Sequence, residues 1–129
     1  METPNIFTVL DANDFIRAYV EGIFFTESDD SGSADENKIG DAGVAEFAPE
    51  TAALIVADCE AFQNDNPYIE ENPTQAGHDF WFTRNRSGVG FYDRPEIYGK
   101  QEAQWLTERA RTFRELSLYK GDNGLLYLE

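Results

Sequence analysis

Apolar residues recur at helical spacing in three stretches of the chain. From Asp14 to about Phe25, Phe15, Ile16, Tyr19, Val20, Ile23 and Phe24 share one stripe, with Asp11 or Asn13 placed to cap the free amides at its start. Pro49-Glu50 opens a second helix, since Pro loses nothing at the first helical position and an acid complements the N-terminal dipole. Leu54, Ile55, Cys59 and Phe62 lie on its inner side, and the turn-rich Asn64-Asp65-Asn66-Pro67 stops it. In the third, Gln101 to Phe113, Ala103, Leu106, Ala110 and Phe113 fall on one face while Glu108, Arg109 and Arg111 take the outside.

Elsewhere the pattern favours strands. Gly77 to Arg94 places Phe80, Trp81, Phe82, Phe91 and Tyr92 in two short runs about Asn85-Arg86-Ser87-Gly88, which predicts a β-hairpin, because bulky side chains suit a pleated surface and Gly tolerates positive φ. Phe80 and Phe82 then face one way and Trp81 the other, while Arg84, Arg86 and Arg94 gather at the hairpin ends within reach of Asp79 and Asp93. Leu116 to Tyr119 and Leu125 to Leu128, joined by Gly121-Asp122-Asn123-Gly124, predict a second hairpin. Ile6 to Leu10 is too brief to assign. The expected fold is one α+β domain over residues 1–129 in the order α-α-ββ-α-ββ, with helices on one face of a small antiparallel sheet.

Glu27 to Gly43 is polar, acidic and aperiodic, and reads as a long surface loop or a partly disordered one. If Gly32 were the sixth residue of a calcium loop, Lys38 would fall at the twelfth, where a bidentate carboxylate belongs, so a solvated linker is the better reading.

Charge is the total that changes the picture most. The chain carries 25 acids against 10 bases, a formal net charge of −15. Residues 1–73 hold 17 of the acids against only Arg17 and Lys38, whereas residues 74–129 carry 8 acids and 8 bases. Such a field repels nucleic acid and anionic lipid and calls for a basic partner. No apolar run approaches the length of a membrane span and the N-terminus lacks the basic start of a secretory signal, so a cytoplasmic location is expected.

Enzyme chemistry finds little support. With one histidine, His78 would be the base of any triad, and in a strand its neighbour Asp79 would point to the opposite face. Cys59 sits on an acidic helix and lacks the electropositive setting of a nucleophile. One Cys and one His cannot build a zinc site, Gly88-Val89-Gly90 alone does not make a nucleotide loop, and no carboxylate pair stands out for glycoside chemistry. The chain reads as a non-enzyme without metal or cofactor.

The segments AGHDFWFTRNRSGVGFYDR, APETAALIVADCEAFQ and YKGDNGLLYL together resemble a family of small acidic proteins of phages, prophages and plasmids. The resemblance runs from about Phe15 to Tyr127; it implies a mobile-element origin but no catalytic residues.

Three functions follow. In the first, an acidic face built from Asp14, Glu21, Asp29, Asp30, Asp35, Glu36, Asp58, Glu60 and Asp65 imitates the phosphates of DNA and inhibits a basic DNA-handling or defence protein of the host. In the second, Trp81, Phe91 and Tyr92 stack on a small ligand or nucleotide signal whose anionic groups meet Arg84, Arg86 and Arg94. In the third, the chain is an acidic accessory protein with no specific partner, its charge serving only solubility or life in high salt, against which the neutral second half counts.

Overall fold

Pro49, Pro67, Pro73 and Pro95 each stand in the first turn of a helical segment, where their fixed φ is already helical and the missing N–H is not needed. The structure, a computed structural model, describes residues 13–31 and 47–129. In chain order it comprises α1 (Asp14–Ser31), α2 (Pro49–Asp65), a 3-10 turn (Pro67–Glu71), α3 (Pro73–Arg84), a second 3-10 turn (Phe91–Asp93), α4 (Pro95–Tyr98), α5 (Lys100–Ala110), β1 (Leu118–Lys120) and β2 (Leu126–Leu128). Among the described residues this is an α+β arrangement, mostly helical, with one two-stranded antiparallel sheet.

The three predicted helices and the terminal hairpin form close to their expected bounds. Asn13 caps α1, its Oδ1 accepting the Ile16 N–H at 3.0 Å. Leu118 pairs with Leu128 and Lys120 with Leu126, and the Ala48 N–H joins the hairpin to the start of α2 through the Leu126 carbonyl at 3.0 Å. Ile6 to Leu10 and most of the acidic loop lie outside the described residues, but α1 runs on to Ser31 and takes in the start of that loop.

The hairpin expected over 77–94 does not form. Pro73 to Arg84 is helical, and Asn85 to Gly88 reverses the chain off its C-terminus instead of joining two strands. Ser87 bonds the Phe82 carbonyl through both its N–H (3.1 Å) and its hydroxyl (2.9 Å), and Thr83 Oγ1 accepts the Phe91 N–H at 3.1 Å. The helices therefore pack on one another and not on a four-stranded sheet.

α3 is central, and its contact with α1 is the most extensive among the described elements. Gly77 permits it: a Cβ there would stand 2.2 Å from the Phe15 carbonyl oxygen and 2.8 Å from Ala18 Cβ. On either side lies an aromatic core in which Phe80 stacks on Phe62 at 4.2 Å and meets Phe113 edge-on at 5.0 Å, with Tyr19 at 5.3 Å. Phe91 adds to the stack on Phe62 at 5.6 Å. No helix among the described residues is long and apolar enough to cross a membrane.

Candidate functional site

The residues offered for stacking and anion binding are largely structural. Trp81 (2% exposed), Arg84 (2%) and Phe91 (0%) are core, so the ligand site expected at 77–94 is not assembled on the surface. The Arg84 guanidinium donates Nη1 to Asp58 Oδ2 (2.8 Å) and Tyr19 Oη (3.0 Å), and Nε and Nη2 to the Arg114 carbonyl at 3.0 and 2.8 Å. Phe80 and Phe113 lie 5.6 and 5.3 Å from it. A guanidinium so enclosed is a peg between α1, α2, α3 and the segment after α5. Burial pushes the Tyr19 phenol far above its usual range, with the Arg84 charge opposing, so the hydroxyl stays neutral.

Arg94 is a second peg. Its Nε donates to the buried Asp79 carboxylate at 3.0 Å, as do Gln75 Nε2 (3.1 Å) and the Tyr98 hydroxyl (2.8 Å). The Asp79–Arg94 pairing thus matches the sequence, though it joins a helix to the chain beyond it. Arg86 is exposed and pairs with Glu115 at 3.6 Å. Tyr92 is exposed and donates its hydroxyl to the Gly88 carbonyl. It lines a groove with Pro95, Lys100 and Arg111, and none of Arg84, Arg86 or Arg94 borders that groove.

His78 and Asp79 face different surroundings for a helical reason: successive side chains are about 100° apart, so Asp79 is buried while His78 reaches Glu21 across the α1–α3 seam, Nε2 to Oε1 3.3 Å. Burial pushes the Cys59 thiol well above its usual range, and the Asp58 charge adds to the push, the opposite of what a nucleophile requires. Among the described residues no group of three or more His, Cys, Asp or Glu side chains is placed to hold a metal ion.

The acidic set divides. Asp58 is spent on Arg84, Glu21 faces His78, and Asp14 holds Arg17 at 2.8 Å while remaining exposed. Asp35, Glu36 and the side chains of Asp29 and Asp30 lie outside the described residues, although the backbone puts Asp29 and Asp30 in the last turn of α1. Glu60 and Asp65 are exposed and form no ion pair among the described residues.

Two acids that the sequence reading passed over, Glu70 and Glu71, complete the picture. They end the first 3-10 turn and stand on opposite sides of it: Glu70 borders a groove with Asp14 and Gln63, Glu71 another with Glu102 and Trp105. The turn is therefore the crest between two grooves, one bordered by Asp14 and Glu70 and the other by Glu71 and Glu102, with Asp65 just before it in the chain and Glu60 one helical turn from Gln63. Buried Asn66 and Ile69 hold the crest in place. Asn66 Nδ2 donates to the Phe62 carbonyl (2.9 Å) and its Oδ1 accepts Arg109 Nη1 (2.9 Å), tying α2 to α5 beneath the acids. The adjacent acids after a helix-ending Pro were the available signal.

This placement opposes the local electrostatics. Neither α1 nor α2 has a base in its last turn, and both carry acids there, where the carbonyl end of the helix already has partial negative charge. No family model matches the chain, and comparison with curated proteins and with solved structures finds no match.

Proposed function

We propose that this protein is a phage-type acidic interaction protein whose carboxylate band, with Glu70 and Glu71 at its crest and Asp14, Glu60, Asp65 and Glu102 around them, occupies the basic groove of a host DNA-handling or defence protein in place of DNA. The observation that carries the reading is that Glu60, Asp65, Glu70 and Glu71 are exposed and without an ion pair among the described residues, the first two on α2 and the last two on a turn pinned by Asn66 and Ile69. Carboxylates kept unneutralised on a rigid support are available to another molecule's cations, and a groove that gains affinity by neutralising phosphates gains it equally from such an array. The role requires no chemistry of the chain's own and places it in the host cytoplasm with its target. The 77–94 resemblance to mobile-element proteins supports a host protein as the target.

Immobilised protein incubated with host lysate at low salt should retain basic DNA-binding proteins, and added duplex DNA or raised salt should release them. A variant carrying Glu60→Gln, Asp65→Asn, Glu70→Gln and Glu71→Gln should retain none. Retention that duplex DNA leaves untouched would refute DNA mimicry, and retention by the neutralised variant would refute the band.

A further inference from the structure

The groove between the 3-10 crest and α5 is lined by Glu71, Asn72, Ile97, Tyr98, Glu102 and Trp105 and has a volume of about 320 Å³. We infer that it is the seat of a single lysine or arginine side chain of a protein partner, the anchor of the interaction proposed above. The inference rests on that reading for the partner's identity but not for the chemistry of the seat.

Four features converge on a cationic side chain. Trp105 is 40% exposed, one of few large apolar side chains left open among the described residues, and its indole offers the most favourable aromatic face for a cation. That this ring accepts a guanidinium is visible in the fold, where Arg109 lies 5.9 Å from its centroid. Tyr98 has committed its hydroxyl inward to Asp79, so what remains for the groove is ring surface. Glu71 and Glu102 come from different elements, the 3-10 turn and α5, and neither forms an ion pair among the described residues. Ile97 supplies apolar contact for a methylene stem. An apolar guest would leave the carboxylates to be desolvated without compensation, and an anion would be repelled; an alkylammonium or guanidinium on an aliphatic stem satisfies both kinds of wall.

Arg109 is the opposing charge. It lies over the Trp105 ring without lining the groove, whereas Glu102, three residues before Trp105 on the same stripe, does line it, so an incoming cation is directed to the Glu102 side.

Trp81 is buried and Trp105 open, so of the two indole N–H resonances that of Trp105 reports this groove. The probe is a capped Gly/Ser peptide with one lysine, compared with the same peptide carrying norleucine. The lysine peptide should shift the Trp105 indole signal and bind about tenfold more weakly to Glu102→Gln, while the norleucine peptide leaves the signal unmoved. Equal perturbation by both peptides, or unchanged lysine binding in a Glu102→Gln variant of unaltered Tm, would overturn the seat. If the DNA-competed retention of host proteins survives Trp105→Ala with Glu102→Gln but is lost on neutralising Glu60, Asp65 and Glu70, the acidic band stands and this groove is not its anchor. Loss of retention in both variants supports the seat.

Discussion

Arg84 shows how one side chain can be mistaken in kind. As a residue at a strand end beside other arginines it reads as a surface cation, but four hydrogen bonds and two flanking rings make it the junction of the core. Removing one partner of such a pair leaves the other uncompensated, so Arg84→Met should cost about 3 kcal/mol in denaturant unfolding, and adding Asp58→Ala should restore part of it. If the double variant is no more stable than the single one, the pair is not what Arg84 provides. Tyr19 in the same junction gives a pH signature. Its phenol is held neutral in the fold, whereas in the unfolded chain it ionises near 10.0, so above that pH the unfolded state binds fewer protons and stability falls. This contribution is fully present below about pH 10 and declines by about 1.4 kcal/mol per pH unit above it. Unfolding between pH 9 and 11 should be visibly less pH-dependent in Tyr19→Phe; identical slopes would show that the phenol ionises freely in the fold.

For α1, α2, α5 and the terminal hairpin, hydrophobic periodicity and turn chemistry agree with the tertiary structure, and each is legible in the sequence. α3 is the exception, because its local preferences and its surroundings disagree. Phe80, Trp81, Phe82 and Thr83 favour a strand, and Gly77 disfavours a helix interior, so propensity alone points to the wrong element. Burial decides otherwise: Ala76, Phe80 and Thr83, and Gly77, Trp81 and Arg84, are buried at three- and four-residue spacing, and a helix covered on several sides shows no simple stripe. The sign that survives is Pro73, which opens α3 as Pro49 opens α2. Gly77 is thus a packing requirement and not a strand feature. Gly77→Ala, harmless or favourable in an open helix, should destabilise by about 2 kcal/mol or more, since its Cβ would meet backbone at 2.2 Å and separate α1 from α3. An unchanged or raised Tm in this variant would mean that the two helices are not held at this distance.

Across the whole molecule, the charge asymmetry is legible in composition, but which acids remain free is not, because pairing depends on contacts distant in sequence. Asp58 is consumed by Arg84, 26 positions away, while Glu70 and Glu71 are exposed by a 3-10 turn that Asn66 and Arg109 hold from below. A net charge of −15 repels itself, and exposed charges are screened over about 8 Å at physiological ionic strength, so thermal stability should rise as NaCl increases from low levels. Neutralising crest acids should have the same sign. Asp65→Asn removes a negative charge from the carbonyl end of α2 and should stabilise by about 0.3–1 kcal/mol at low salt, and by less at high salt. Retention of a basic partner should move the opposite way, weakening with added salt and with each neutralisation. Acids that lower stability while they raise partner affinity are expected where function and not folding keeps them. Measuring Tm and retention for Asp65→Asn, Glu70→Gln and Glu71→Gln across the same salt series separates the possibilities: a lower Tm in these variants would assign the crest carboxylates to the fold, and opposite movement of the two quantities assigns them to a partner.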